Sequence, residues 1–291
     1  MPESNMQPSL EMQEFMQEMS RPVVPHMPFE EYAEKFKDGF ILTRKNSICE
    51  IRMHTNNKSA FFGNLQHHGW SQILQLVGAD PENEVIIITG TGEDFVREIP
   101  HDLVEAMLLR EVTPEMARMQ QLNQFNLYIE GNALIKAVMD YIHVPTIGVV
   151  NGPAGAMSAL ATLCDITICS DTATFEEAHF AGNLVPADGT WQAYEGLLGV
   201  KRACYMAYTH QIVDAKTALD WGIVNEVVPH KLINERGWEI AEKIMKTDKY
   251  VRRLTHTMVK DYYGKMVNNL AMQFGTEAFG NAMVTANRGH K

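Results

Sequence analysis

The middle of the chain alternates between continuous apolar runs and amphipathic stretches. Residues 85–90 and 146–150 are rich in β-branched side chains, a composition typical of strands buried on both faces. A shorter run at 166–170 predicts a third such strand. Helical spacing of apolar residues at 65–77 and 115–141 predicts helices between the strands. Because strand and helix alternate, we expect an α/β fold with parallel strands joined by right-handed crossovers.

The regions on either side of this middle have other patterns. Residues 40–44 and 48–54 alternate around the turn 45–47 and predict a hairpin. From about residue 189 onward the pattern is nearly all helical, with Asp214 as the N-cap of one helix and Gly222 as its end. The last amphipathic helices, from about 231 to 285, are of a kind that commonly forms an oligomerisation lobe.

The N-terminal 28 residues are rich in methionine and glutamine. Four apolar residues lie at helical spacing there: Met12, Phe15, Met16 and Met19. Such spacing predicts either an amphipathic arm that packs on a neighbouring subunit or a mobile tail.

Composition excludes several classes of partner. The formal net charge of −11 argues against binding to a nucleic-acid backbone. No apolar run approaches the roughly 18 residues that span a bilayer, and no secretion signal is visible. The four cysteines lack C-x-x-C spacing, which favours reduced thiols. We therefore expect a cytoplasmic protein that binds neither nucleic acid nor membrane.

One segment, residues 144–165, joins a predicted buried strand to a tight turn at Asn151-Gly152-Pro153 and then to a helix of small residues. A helix that begins directly after a buried strand presents unpaired backbone N–H groups to a pocket. Gly155 and Ala156 would let a ligand approach the backbone closely. The segment therefore predicts an oxyanion site, although the same small residues fit close helix–sheet packing equally well.

Three segments together resemble one family. They are Gly90-Thr-Gly-Glu-Asp-Phe95, Asn151-Gly-Pro-Ala-Gly-Ala, and Ala173-Thr-Phe175 followed by Leu184-Val-Pro-Ala-Asp-Gly189. Their order and spacing are similar to those of the crotonase (enoyl-CoA hydratase/isomerase) superfamily. The resemblance covers about residues 40–280. It implies an α/β fold, a crotonase-like ββα spiral with a C-terminal helical oligomerisation lobe, assembled as a homotrimer or as a hexamer (a dimer of trimers). We expect an N-terminal extension at 1–36, the spiral core at 37–228 and the helical lobe at 229–291.

The resemblance also implies an oxyanion hole made by the backbone N–H groups of Ile99 and Ala156. Departures from the family pattern limit the reactions that this chain is expected to catalyse. Hydratases of this superfamily keep glutamates where this chain has Ala159 and His179, and water addition to an enoyl thioester normally needs them. Glu98 stands where the backbone of a CoA-binding relative has glycine. It is either an acid that gates the ligand or an ion-pair partner of a nearby arginine.

The motif Phe95-x-x-Glu98-Ile99 resembles the β-diketone hydrolase branch that includes 6-oxocamphor hydrolase. Further matching segments are Arg52-Met-His-Thr-Asn56 and His179-Phe180. That branch cleaves a C–C bond between two carbonyls by a retro-Claisen reaction, without cofactor or metal. The resemblance implies the catalytic residues His67, Asp165, His179 and Glu277, and a substrate pocket lined by Glu98, Met157 and Trp191.

Each catalytic candidate has an alternative interpretation. His67 and His68 are adjacent, so on a helix only one of them can face a pocket. His179 is either a binding residue or a histidine that pins its loop through the backbone. Asp165 is either a structural aspartate or the group that holds the tautomer of a neighbouring histidine. Glu277 could equally be an exposed helix residue, and His54, His143 and His210 are interpreted as structural.

The most favoured hypothesis is a cofactor-independent enzyme that hydrolyses a C–C bond in a small-molecule β-dicarbonyl substrate other than a CoA ester. Met157 stands where the branch carries a histidine, so an enolate-mediated cyclisation, isomerisation or dehydration stays open. An acyl-CoA hydratase or isomerase and a non-catalytic scaffold subunit are the other hypotheses. No H-E-x-x-H or similar metal spacing, dinucleotide-binding motif or G-x-S-x-G motif occurs.

Overall fold

The computed structural model describes residues 8–21, 26–61, 63–97, 113–115, 118, 136–181, 185–186 and 189–267. The strands are β1 Phe40–Lys45, β2 Ile48–Met53, β3 Val85–Thr89, β4 Thr146–Val150, β5 Ile166–Ser170, β6 Thr174–Phe175, β7 Val213–Asp214 and β8 Glu226–Val228. The helices are α1 Leu10–Met19, α2 Phe29–Lys35, α3 Asn64–Ala79, α4 Ser158–Thr162, α5 Ala178–Ala181, α6 Thr190–Thr209, α7 Ala215–Trp221, α8 Ile233–Met245 and α9 Lys249–Val267. Two 3₁₀ turns, Gly155–Met157 and His230–Leu232, complete the described elements.

A six-stranded sheet in the order β1-β2-β3-β4-β5-β8 forms the centre of the described part of the chain. The predicted hairpin is confirmed: β1 and β2 pair antiparallel, and Asn46 and Ser47 turn the chain with φ values of 51° and 63°. Every other pair in this sheet is parallel, as the alternation of strand and helix predicts. A second, two-stranded antiparallel sheet joins β6 to β7.

Strands β3 and β4 are buried along their whole length, as their apolar runs predict. On one face, Ile86 and Ile88 belong to a core cluster that includes Trp70 and Leu74 of α3. On the other face, Ile87 and Ile147 pack in a separate cluster with Ile233 and Ala241 of α8. The sheet is therefore covered by helices on both faces.

The structure departs from the sequence prediction after β4. We expected one helix from the turn at residues 151–153 to about Asp165, but the chain forms the 3₁₀ turn Gly155–Met157 and then the short helix α4. Gly155 has a φ of 48°, a left-handed conformation that a right-handed helix cannot continue through. Of the predicted helix 115–141, the described residues 115, 118 and 136–140 are helical, and most of the others lie outside the described residues.

Helix ends outside this region follow their sequence signals. Asp214 caps α7 by accepting a hydrogen bond from the N–H of Thr217, and Gly222 ends the helix with a φ of 80°. The N-terminal segment forms the helix α1, none of whose residues is buried. Its packing on a neighbouring subunit therefore stays a prediction.

The side chain of Asn151, directly after β4, ties two loops together. Its Oδ1 accepts a hydrogen bond from the N–H of Gly90 at 3.1 Å. Its Nδ2 donates to the carbonyls of Gly92 at 2.8 Å and Asp94 at 2.9 Å. The loop that follows β3 is thus held against the turn that follows β4. The carbonyl of Pro153 adds two bonds, from the N–H groups of Phe95 and Val96.

Gly152 lets these two loops touch. A Cβ atom at this position would lie 1.7 Å from the carbonyl oxygen of Glu93 and 3.1 Å from the Cα of Asp94. Both are backbone atoms, which cannot move aside as the end of a flexible side chain would. Only glycine fits between the loops without displacing one of them.

Helix α9 is anchored at the amino ends of β4 and β5. His256 Nδ1 lies 2.7 Å from Asp165 Oδ2, and that oxygen also accepts hydrogen bonds from the backbone N–H and hydroxyl of Thr146. Lys260 donates to the carbonyls of Val138, Met139 and Ile142 at the end of the preceding helical stretch. Burial lowers the pKa of Lys260 to about 8, although the nearby carboxylates of Asp165 and Asp140 oppose this shift.

We expect Gly152→Ala to destabilise the protein by about 2 kcal/mol or more, because its methyl group must push two backbones apart. Gly264→Ala is the matched control: nothing lies near its added Cβ, and alanine favours a helix over glycine by about 0.5–1 kcal/mol. Urea unfolding followed by circular dichroism measures both. Equal unfolding midpoints for the two variants would contradict the close approach of the loops.

The lowered pKa of Lys260 predicts that the stability of the protein depends on pH. The pKa of Lys260 is about 8 in the folded protein and the ordinary lysine value is 10.5, so between these values the unfolded chain binds more protons. This residue alone therefore makes the free energy of unfolding rise with pH from about 8 to 10.5. Lys260→Met should remove that contribution and give a smaller slope than the wild type. Unfolding curves at several pH values measure the difference, and identical slopes would contradict it.

Candidate active site

The turn after β4 places the backbone of Ala156 at the carboxyl edge of the sheet. The N–H of Ala154 donates to the carbonyl of Thr174 at 3.0 Å, which fixes the chain just before the 3₁₀ turn. The first N–H groups of a helical turn have no carbonyl partner within it, so Ala156 can offer its N–H to a ligand. The other expected donor, Ile99, and the neighbouring Glu98 lie outside the described residues. The loop that leads towards them is described to Arg97 and is held by the Asn151 side chain.

His179 lies beside this turn. It belongs to the four-residue helix α5, which contacts both the 3₁₀ turn Gly155–Met157 and helix α6. Its side chain is 12% exposed. The helix that carries His179 and the turn that carries Ala156 are therefore in contact.

A buried glutamate holds the His179 ring. Glu177 Oε1 lies 2.7 Å from His179 Nδ1 and accepts the His179 backbone N–H at 3.1 Å. Glu177 Oε2 accepts the backbone N–H of Phe180 at 3.1 Å. The Glu177 side chain is only 2% exposed, so this carboxylate is directed at the histidine and its helix rather than at bulk water.

Two buried polar side chains lie near this pair: Tyr194, and Ser158, whose hydroxyl donates to the carbonyl of Glu176 at 3.3 Å. Burial raises the pKa of Tyr194, the adjacent Ser158 hydroxyl acts against that rise, and the nearby Glu176 and Glu177 add to it. Tyr194 is thus a neutral phenol at physiological pH. Ala159 is buried in the same core and supplies no carboxylate, as the sequence indicates.

Asp165 requires a correction. It was expected to support a catalytic histidine, but its carboxylate contacts Thr146, the first residue of β4, whereas Ala156 follows the last residue of that strand. Five residues of extended strand separate the two positions by roughly 16 Å. Asp165 does pair with a histidine, but that histidine is His256 of α9. Its role is structural, because it joins the amino ends of the parallel strands β4 and β5 to His256 of α9.

His67 lies in the first turns of α3, which begins soon after the carboxyl end of β2. Since β2, β3 and β4 are parallel, His67 is at the same edge of the sheet as Ala156. Its half-buried ring stands 5.8 Å from the ring of His68, centroid to centroid. Glu277 lies outside the described residues, so its place in the site stays a prediction.

The two described pocket candidates differ in their surroundings. Met157 is almost wholly buried in the main core. Trp191 packs against that core and donates from Nε1 to Glu195 at 3.1 Å, consistent with a wall residue. His54 is structural as expected, because both ring nitrogens bond to backbone groups, the carbonyl of Lys37 and the N–H of Asn57.

Sequence reasoning missed Glu177. The signal was available, since a carboxylate two residues before a histidine in a short connection can reach that histidine's ring. The stronger signal in this segment is His179 itself, which stands where the family's hydratases keep a glutamate. Among the described residues, no three His, Cys, Asp or Glu side chains come together as a metal site, and no helix has the length and apolar character to cross a bilayer.

Comparison with known proteins agrees with the geometry. The model of the enoyl-CoA hydratase/isomerase family matches residues 43–279. A short-chain-enoyl-CoA hydratase of Clostridium acetobutylicum is 29% identical over 208 residues, which cover 71% of this chain and 74% of the hydratase. A crotonyl-CoA hydratase of Syntrophomonas wolfei is 29% identical over 215 residues, which cover 72% of this chain and 76% of that enzyme.

A solved structure is similar over nearly its whole length. It is a β-diketone hydrolase from the cyanobacterium Anabaena, bound to (S)-3-oxocyclohexyl acetic acid, with a TM-score of 0.76 and 27% identity. The match covers 88% of this chain and 98% of the hydrolase chain. The expected crotonase-like α/β fold with its C-terminal helical region is confirmed, and the chain belongs to the enoyl-CoA hydratase/isomerase family.

Proposed function

We propose that this protein hydrolyses a C–C bond between the two carbonyls of a β-diketone that is not a CoA ester. The observation that carries the proposal is the position of His179: a histidine held by a buried carboxylate, next to the turn that presents the Ala156 N–H. A base beside an oxyanion donor is the arrangement that water addition to a carbonyl requires.

The reaction begins when His179 takes a proton from water as the water oxygen attacks one carbonyl carbon. The resulting tetrahedral oxyanion collapses, the C–C bond breaks, and its electron pair forms the enolate of the second carbonyl. That enolate is protonated at carbon by the imidazolium, which regenerates the neutral histidine. The products are a carboxylate and a ketone. Backbone N–H donation from Ala156, and from Ile99 as the second donor, lowers the energy of the anionic intermediates, by about 3–4 kcal/mol for each donor.

The choice of substrate class rests on two observations. The hydratase carboxylates are replaced by Ala159, which is buried in apolar surroundings, and by His179. The Anabaena protein with the same fold is a β-diketone hydrolase, and its bound ligand carries a ketone and a carboxylic acid but no CoA. We further propose that His67 and Glu277 bind or orient the diketone opposite the Ala156 turn.

An acyl-CoA hydratase or isomerase is the second candidate. The observation in its favour is that the curated relatives at 29% identity are enoyl-CoA and crotonyl-CoA hydratases. In this second candidate the N–H of Ala156 is again the oxyanion donor, and His179 would exchange a proton with a thioester enolate. The two candidates differ in whether a CoA moiety is bound.

We expect the purified protein to cleave cyclic 1,3-diketones and to show no binding of crotonyl-CoA at micromolar concentration in calorimetry. Diketone cleavage is measured by the loss of enolate absorbance and by mass spectrometry of the oxo-acid product. Micromolar crotonyl-CoA binding together with no diketone cleavage would favour the second candidate and overturn the first.

His179→Gln should lower kcat at least roughly 10²-fold, because glutamine cannot accept the proton from water at neutral pH. His26→Gln, at an exposed position, is the matched control and should retain wild-type rates. Initial rates of diketone cleavage measure both variants. A fully active His179→Gln variant would eliminate His179 as the base.

A further inference from the structure

Glu177 has a hydrogen-bonding pattern of an ionised carboxylate. It accepts hydrogen bonds from the backbone N–H groups of His179 and Phe180, and its Oε1 also lies 2.7 Å from Nδ1 of the His179 ring. An ionised carboxylate has only acceptors, and this pattern uses both of its oxygens. The side chain does so while almost fully buried, which leaves solvent little share in its bonding.

The two backbone bonds fix the carboxylate before the ring is considered. They lie at the start of helix α5, where N–H groups lack partners within the helix, so Glu177 serves as the cap of that helix. A ring two residues later must then meet an acceptor whose position the backbone has already set. The 2.7 Å contact between Oε1 and Nδ1 therefore restrains the ring of His179 rather than the reverse.

The neighbouring Tyr194 strengthens the electrostatic interaction between Glu177 and the His179 ring. Its phenol is buried, and burial and the adjacent glutamates raise its pKa, so it stays neutral beside Glu177. A buried neutral phenol beside a buried carboxylate screens an ion pair less than water would. A positive charge that develops on the imidazole is therefore stabilised by Glu177 at short range.

We infer that Glu177 is the positioning residue of this site, acting through His179. It holds a proton on Nδ1, which leaves the lone pair of the neutral ring on Nε2, and it stabilises the imidazolium once that nitrogen has taken a proton. The inference rests on the proposed function, because the residue that Glu177 positions is the base of that proposed reaction. It gives to Glu177 the role that the sequence resemblance implied for Asp165.

The direct test is the protonation state of the His179 ring in ¹⁵N-histidine-labelled protein, assigned by comparison with His179→Gln. We expect long-range ¹H–¹⁵N correlation spectra at neutral pH to show Nδ1 protonated, as the Nδ1–H tautomer or as imidazolium. An Nε2–H tautomer in the wild-type protein would overturn the inference. This measurement needs no variant of Glu177, so it stands even if substitution there prevents folding.

Glu177→Gln tests the energetic role. The amide keeps the shape of the side chain but removes its charge, so the pKa of His179 should fall and the acidic limb of the kcat/KM profile should move to lower pH. We expect kcat to fall about 10-fold or more with KM within about 2-fold of wild type. Glu242→Gln, at an exposed position on α8, is the matched control.

The outcomes separate the inference from the proposed function. If His179→Gln is inactive but Glu177→Gln keeps the wild-type pH profile, His179 remains the base. The positioning role of Glu177 is then overturned. A wild-type protein that does not cleave diketones overturns the proposed function itself, whereas a His179→Gln variant with wild-type cleavage removes His179 as the base and with it the positioning role of Glu177. A shifted acidic limb together with the Nδ1-protonated ring supports both.

Discussion

The candidate site depends on the hydrogen bonds of one side chain, Asn151. Its amide spans the gap between two loops that follow neighbouring parallel strands, and it meets three backbone groups of the opposite loop. Under the proposed function each of those loops leads to one oxyanion donor, so their spacing decides whether two N–H groups can converge on one oxygen. Gly152 makes the close approach possible, because a side chain there would collide with the backbone of Glu93.

The two edges of the sheet have separate tasks. At the carboxyl edge, where ligands usually bind in open α/β sheets, the turn of Ala156 lies against the helix that carries the Glu177–His179 pair, which hold the proposed donor and base. At the amino edge, Asp165, His256 and Lys260 hold helix α9 against the sheet. Each edge thus contains a carboxylate–histidine pair, and the base proposed above belongs to the Glu177–His179 pair at the carboxyl edge. The other pair positions the helix that leads towards the C-terminal residues.

Much of the fold could be predicted from local pattern. The β-branched runs of β3 and β4, the turn at Asn46-Ser47 and the caps Asp214 and Gly222 are short-range signals, and each one formed the expected element. The break at Gly155 could not be predicted, because a glycine among small helix-compatible residues does not reveal its own φ value.

The site was only partly predictable for a similar reason. His179 and the Ala156 turn carry recognisable motifs, whereas the partner of a histidine depends on where the chain folds. Asp165 and His256 are 91 residues apart in the sequence, and only the packing of α9 brings them together. Glu177 reaches His179 because it caps the four-residue helix α5 and accepts two backbone N–H groups of that helix.

The account as a whole predicts a hydrolysis in which water is a reactant and a carbonyl carbon becomes a carboxylate. The most direct measurement is cleavage of a cyclic 1,3-diketone in H₂¹⁸O, followed by mass spectrometry of the oxo-acid product formed within the first turnovers. Retro-Claisen cleavage assisted by His179 predicts one ¹⁸O atom in the new carboxylate, retained when the ketone oxygen is allowed to exchange back in ordinary water. A product with no ¹⁸O in its carboxylate, or a diketone that is rearranged without cleavage, would contradict the account.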